Sequence, residues 1–171
     1  SSSEFGNNYT ITLGGTTDYV DYTEFQVNTY TKDSQHSSSV TNLTDGGFVV
    51  TWSSEQTGYL FDTFGQLYDS SGNESGSEFQ VNNYIYGSQS NSSVSGLSDG
   101  GFVVTWSSYA SGWEGQDGDR SGIYGRLFDD NGTALDSEFQ VNTYTQGDQI
   151  YPSVTSLNDN AFVVTWQSRD Q

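Results

Sequence analysis

Gly101-Phe102-Val103-Val104-Thr105-Trp106 decides the reading of this chain, because the phrase returns as Gly47 to Trp52 and as Ala161 to Trp166. A second phrase, Glu24-Phe25-Gln26-Val27-Asn28, recurs as Glu78 to Asn82 and as Glu138 to Asn142. Self-similarity on this scale marks supersecondary units that cover one another's hydrophobic faces. In an extended strand, Phe102, Val104 and Trp106 point to one face and Val103 and Thr105 to the other. Both faces carry apolar groups, so the strand is expected to be buried on both sides.

Working outward, one unit reads as four short strands: a around Val94, b over 102–106, c over 123–128 and d over 139–144. Asp45-Gly46-Gly47, Asp99-Gly100-Gly101 and Asp159-Asn160-Ala161 join a to b with residues that accept positive φ, so a and b are antiparallel neighbours. Asp69-Ser70-Ser71-Gly72 and Asp129-Asp130-Asn131-Gly132 turn c into d. Leu13 stands in the place of Leu67 and Leu127, which puts Tyr9 to Leu13 at a c position and gives the order c-d, a-b-c-d, a-b-c-d, a-b. The reading is an all-β single repeat domain over residues 1–171, with units 9–30 together with 152–167, 39–84 and 93–144. These are three repeated four-stranded antiparallel units, propeller-blade-like, with pseudo-threefold closure of the first pair by the last. A β-prism, a β-trefoil, two chains joined into a larger ring and an open array stay open as alternatives.

Composition narrows the partners. The 171 residues hold 4 Lys and Arg against 22 Asp and Glu, a formal net charge of -18. Phosphate backbones need clustered cations, so nucleic acid is excluded as a partner. An anionic membrane surface repels such a chain, and no apolar run approaches membrane-spanning length, so membrane insertion is not expected. Without cysteine there is neither a disulfide nor a thiolate metal site. The acidity suits solubility in saline surroundings or the binding of cations.

The spacing of the repeats is unequal: Phe48 to Phe102 is 54 residues and Phe102 to Phe162 is 60. The extra length falls between Trp106 and Gly125, and added loop length on a repeat scaffold is where specific function tends to sit. There Asp117-Gly118-Asp119-Arg120-Ser121-Gly122 matches the opening of a calcium loop, with hard oxygens at alternate positions and a glycine that lets the backbone wrap the ion. Asp117, Asp119, Ser121 and the carbonyl of Ile123 are the candidate ligands. The twelfth position is Phe128 rather than a glutamate, so the site is expected to be a β-loop calcium site and not an EF-hand. Arg120 offers the carboxylates a competing partner. Trp52, Trp106 and Trp166 repeat at the ends of b strands and read as core. Trp113, with Tyr109, stands outside the repeat and is the candidate ligand contact. Gly96-Leu97-Ser98-Asp99-Gly100 has the form of a nucleophile elbow but lies in a hairpin turn, and His36 is the only histidine. No catalytic residue is assigned.

Glu138-Phe139-Gln140-Val141-Asn142-Thr143-Tyr144, Pro152-Ser153-Val154, Phe162-Val163-Val164-Thr165-Trp166-Gln167-Ser168 and Gly122-Ile123-Tyr124-Gly125-Arg126-Leu127-Phe128-Asp129 resemble the tandem repeats of large secreted bacterial proteins. These are adhesin-like and haemolysin-type calcium-binding (RTX-like) proteins, and the likeness covers Thr23 to Ser168. The nonapeptide calcium motif of RTX rolls is absent. The resemblance implies an extracellular, non-enzymatic structural or adhesive module of a cell-surface or matrix protein. Its implied partners are calcium, cell-surface glycans and copies of itself. A carbohydrate-binding, lectin-like module is the alternative.

Overall fold

A computed structural model describes residues 10–12, 24–58, 60–110 and 115–169, with side chains from residue 24 onward. Within them the chain is all-β and its sheets are antiparallel. The strands are β1 (Thr10–Thr12), β2 (Glu24–Gln26), β3 (Gln35–Asn42), β4 (Phe48–Ser54), β5 (Asp62–Tyr68) and β6 (Glu74–Gln80). They continue as β7 (Ser88–Gly96), β8 (Phe102–Tyr109), β9 (Ser121–Phe128), β10 (Phe139–Gln140), β11 (Gln149–Ser156) and β12 (Phe162–Ser168). Two four-stranded sheets, β3-β4-β5-β6 and β7-β8-β9-β10, lie between two-stranded sheets β1-β2 and β11-β12.

The register repeats with the sequence. Trp52 stands opposite Phe64 as Trp106 stands opposite Tyr124, and Gly65 opposite Phe79 as Gly125 opposite Phe139. The expected turn chemistry is present: Gly46, Gly100, Asp159 and Asn160 all have positive φ. The glycines opposite Phe79 and Phe139 serve a different need. A Cβ on Gly65 or Gly125 would lie 2.7 or 2.8 Å from the facing phenylalanine ring, so glycine lets that ring lie across the strand.

Consecutive sheets stack face to face. Leu43, Val49, Leu67 and Val81 of one sheet pack against Val94, Phe102, Val104, Trp106 and Phe128 of the next. The same alternation places Val27 against Val50, Trp52 and Phe64, and Leu97 and Val103 against Val154 and Val164. Trp52 and Trp106 are fully buried, as the core reading expects, whereas Trp166 is 37% exposed.

The interface between sheets is not wholly apolar. β7 and β11 each have an edge with no sheet partner, and their outward N–H groups bond to hydroxyls of the preceding sheet. Val94 and Gly96 donate to Ser39 and Thr41, both at 3.2 Å. Val154 and Ser156 donate to Ser93 and Ser95 at 3.1 and 2.8 Å. A bulge near the start of β3, β7 and β11 holds Ser37, Asn91 and Tyr151 at φ of 56 to 57°. The bulge N–H groups of Asn91 and Tyr151 likewise donate to Ser53 and Ser107.

Two expectations are corrected here. The first strand of each four-stranded sheet and of the last pair begins earlier than the expected units, at Gln35, Ser88 and Gln149, and His36 lies in β3. The first and last pairs do not close on each other: among the described residues β12 pairs only with β11 and β1 only with β2. Among the described residues the sheets form an open stack.

Ser95→Ala leaves the Ser156 N–H without its acceptor at a part-buried face. It is predicted to cost about 1–3 kcal/mol in urea denaturation. A second prediction concerns alkali. Burial pushes the Tyr68 phenol from 10.0 up to about 12, with Glu74 and Glu78 adding to the shift. Tyr124 is raised by burial first and then by Asp117, Tyr84 and Glu138. A phenol that holds its proton more tightly when folded stabilises the fold fully below its unfolded pKa, and that stability is lost as pH rises through the folded value. The urea midpoint should therefore hold steady up to pH of about 10 and fall progressively towards about 12. Tyr68→Phe should make that fall shallower.

Candidate functional site

All connections between β4 and β5, β8 and β9, β6 and β7, and β10 and β11 emerge at one end of the stack, because the strands of each sheet run up and down in order. The expected calcium loop and Tyr109 belong to this end.

Three repeated side chains fix these loops. Asn28, Asn82 and Asn142 are buried just beyond the last strand of a sheet. Their amides donate to the carbonyls of Tyr30, Tyr84 and Tyr144, two residues on. Asn82 and Asn142 also accept from the N–H of Thr63 and Ile123, at 2.8 and 2.7 Å. Gln35, Gln89 and Gln149, at the start of the following sheet, are almost completely buried and hold the same crossing from the other side. They donate to the carbonyls of Lys32, Tyr86 and Gln146, and Gln89 accepts from the indole of Trp106 at 3.1 Å. The third clamp is a glutamate. Glu78 accepts from the N–H of Thr29 and from Gln56, and Glu138 accepts from the N–H groups of Asn83 and Tyr84 and from Gln116. Each glutamate thus ties a loop of its own sheet to the crossing that precedes it.

Gln56 and Gln116 meet equivalent glutamates, which places the added residues of the longer loop before Gln116. Asp117 and Asp119 therefore follow the insertion and belong to the shared frame. Asp117 accepts from the Asn142 amide at 3.3 Å, the role that Asp62 fills for Asn82 at 2.6 Å. Asp62 corresponds to Gly122, and a Cβ on Gly122 would sit 2.7 Å from the Asp117 carboxylate. A carboxylate supplied from within the strand in one sheet is supplied from the loop, over a glycine, in the other.

In this frame each of the four predicted calcium ligands has a hydrogen-bond partner within the protein. The Ile123 carbonyl accepts the N–H of Val141 at 2.8 Å, and the Ile123 side chain is fully buried. The Ser121 hydroxyl donates to Asp148 at 3.1 Å, and Asp119 accepts the N–H of Gly147 at 2.8 Å. Asp117 also accepts the N–H of Asp119 at 3.2 Å, a local turn bond. Among the described residues no three acidic or histidine side chains converge as a metal site would require. Arg169 lies 3.8 Å from Asp148, and among the described residues no ion pair joins Arg120 to Asp117.

Of the two aromatic candidates, Tyr109 ends β8 and is 47% exposed, while Trp113 lies outside the described residues, as does Glu114. Unanticipated from the sequence, Leu60, Ile85 and Tyr86 are also exposed at this end. Leu60 and Ile85 border an open cavity of about 460 Å3 together with Thr57, Asp62, Gln80 and Gly87. The Gln80 amide nitrogen is buried without a hydrogen-bond partner. Its counterpart Gln26 instead donates to the Asn28 carbonyl, a difference that two identical residues in the repeat do not reveal.

Ser98 and His36 are kept apart. Ser98 lies in the β7-β8 turn and bonds Asn160 at 2.6 Å, at the opposite end of the stack from His36. His36 packs edge-on against Phe61 at 4.2 Å, and burial lowers its pKa against the pull of Glu55.

Asp117→Ala is predicted to cost roughly 1–2 kcal/mol by stripping the Asn142 amide of an acceptor, equally in calcium and in EDTA. Adding Gly122→Asp should restore much of the loss by rebuilding the Asp62 arrangement. A loss that appears only in calcium, measured by thermal denaturation, would return the metal reading.

No protein-family model matches the chain, and neither does a curated protein or a solved structure.

Proposed function

We propose that the chain is a non-enzymatic structural and adhesive repeat module of an extracellular, cell-surface or matrix protein, built from blade-like four-stranded units stacked face to face. The observation that carries this reading is the character of the loop end. Leu60, Ile85, Tyr86 and Tyr109 stand exposed at an end whose loops are pinned by buried Asn and Gln and half-buried Glu clamps. Rigidly held apolar and aromatic side chains above a polar frame suit contact rather than turnover. Calcium enters as a counter-ion that relieves a net charge of -18.

The lectin-like alternative is favoured by one feature, the cavity beside Gln80. Sugars present an apolar ring face and a rim of hydroxyls, and this cavity offers Leu60 and Ile85 together with the unpaired Gln80 amide and the Asp62 carboxylate. Glycans therefore become the ligand class to test.

Retention on immobilised glycans is expected, with no hydrolysis of glycosides, peptides or phosphate esters. Ile85 and Tyr86 are exposed, so replacing both by serine should leave the fold intact and weaken retention by about tenfold, the effect of losing roughly 1.4 kcal/mol of contact. Silence across a broad glycan panel would remove the lectin reading. Turnover abolished by a single Asp or Glu change would replace the non-enzymatic one.

A further inference from the structure

The two ends of the stack carry the two halves of the interface that recurs inside it. At one end β3 corresponds to β7 and β11, whose outward N–H groups are met by hydroxyls of the sheet before them. The matching N–H groups of β3 belong to Val40 and Asn42, and among the described residues no hydroxyl meets them. Val40 is 61% exposed, although its counterparts Val94 and Val154 are buried against the preceding sheet. At the other end Ser153, Thr155 and Gln167 occupy the places of the acceptors Ser93, Ser95 and Ser107, and all three are exposed. Beside them Val163 is 43% exposed, although its counterparts Val49 and Val103 are buried against the sheet that follows them.

The strand edges complement each other as well. β12 lacks the neighbour that β5 gives β4 and β9 gives β8, and β1 lacks the neighbour that β4 gives β5. Set in the register of β4 with β5, β12 would place Trp166 opposite Thr10 and Thr165 opposite Ile11.

We propose that the β11-β12 end of one molecule docks on the β1-β3 end of a second copy, head to tail. The docked pair completes a four-stranded sheet across the two chains. Ser153 and Thr155 then accept from Val40 and Asn42, and Val163 enters the apolar layer beneath β4. The occupant is another copy because only a strand of this repeat offers donors, acceptors and apolar groups at the spacing each end presents. Such a contact is heterologous, so it propagates into rings or filaments rather than stopping at a dimer. Two chains each bearing -18 repel, so the association strengthens with salt. The proposal rests on the reading of the chain as stacked blade-like units.

Light scattering coupled to size exclusion tests it on the full chain. Mass is expected to rise with protein concentration and with salt. Val40→Glu disables one end and Val163→Glu the other, and each should weaken self-association by about tenfold or more. Mixed in equal amounts, the two variants should form dimers and nothing larger, since each retains one working end. Circular dichroism checks that both remain folded, and Thr155→Glu serves as the substitute if Val163→Glu does not. A chain that stays monomeric at every concentration and salt overturns the proposal, as does association that both glutamates leave unchanged. The loss of stability on Ser95→Ala reports the internal stacking separately. A monomeric chain that still shows that loss would therefore sink head-to-tail docking alone.

Discussion

A backbone N–H on the edge of a sheet must find an acceptor once another layer excludes water from it, and this chain meets that demand with serine and threonine hydroxyls. β7 and β11 each lie against the sheet before them, where an apolar side chain would leave their outward N–H groups unpaired. Ser39, Thr41, Ser93 and Ser95 face them instead. The stack is therefore half apolar layer and half hydroxyl comb. This is how a chain with only 32% hydrophobic residues packs sheet on sheet. The hydrogen bonds also set the alignment of neighbouring sheets, which a greasy layer alone would allow to slide.

The same economy of local acceptors accounts for much of the negative charge. Asp45 and Asp99 accept the N–H of the glycine that ends each hairpin turn, and Asp69 and Asp129 accept two N–H groups each across the next turn. The Asn73 side chain and backbone N–H hold the Asp69 carboxyl below its ordinary pKa. Glu78 and Glu138 do for the crossings what the aspartates do for the turns. These carboxylates answer to backbone donors nearby, and their sum looks like a cation trap only when the chain is read as composition. Their mutual repulsion is tolerated because they are spread over many turns rather than gathered.

How much of this was legible in the sequence follows from the kind of side chain involved. Strands such as Phe102–Tyr109 announce themselves by alternation and β-branching, and the Asp-Gly-Gly turns by their need for positive φ. Their antiparallel pairing and the burial of Trp52 and Trp106 followed directly. Gln35–Asn42 and Ser88–Gly96 did not, because Ser37-Ser38-Ser39 and Ser90-Asn91-Ser92-Ser93 have the composition of a loop. Their serines are polar for the sake of the next sheet, and that partner is invisible to any local window. The buried glutamines were missed for the same reason: Gln35, Gln89 and Gln149 stand in line, but amid Ser, Asp and His nothing local distinguishes a core amide from a surface one.

The calcium motif shows how a repeat can judge its own anomalies. Taken alone, Asp117-Gly118-Asp119-Arg120-Ser121-Gly122 supplies oxygens and a glycine in the order that wraps an ion. Set beside the preceding sheet, the same letters describe a displacement. Asp62 has become Gly122, and the carboxylate its neighbouring amide requires has moved to the position of Thr57, now Asp117, which reaches back over the glycine. The glycine that would let backbone fold around a metal is here the space the carboxylate crosses. Both accounts explain why aspartate and glycine stand where they do. Only the exchange also explains why the other sheet has aspartate where this one has glycine, and why the two Asn amides keep the same partner chemistry despite it.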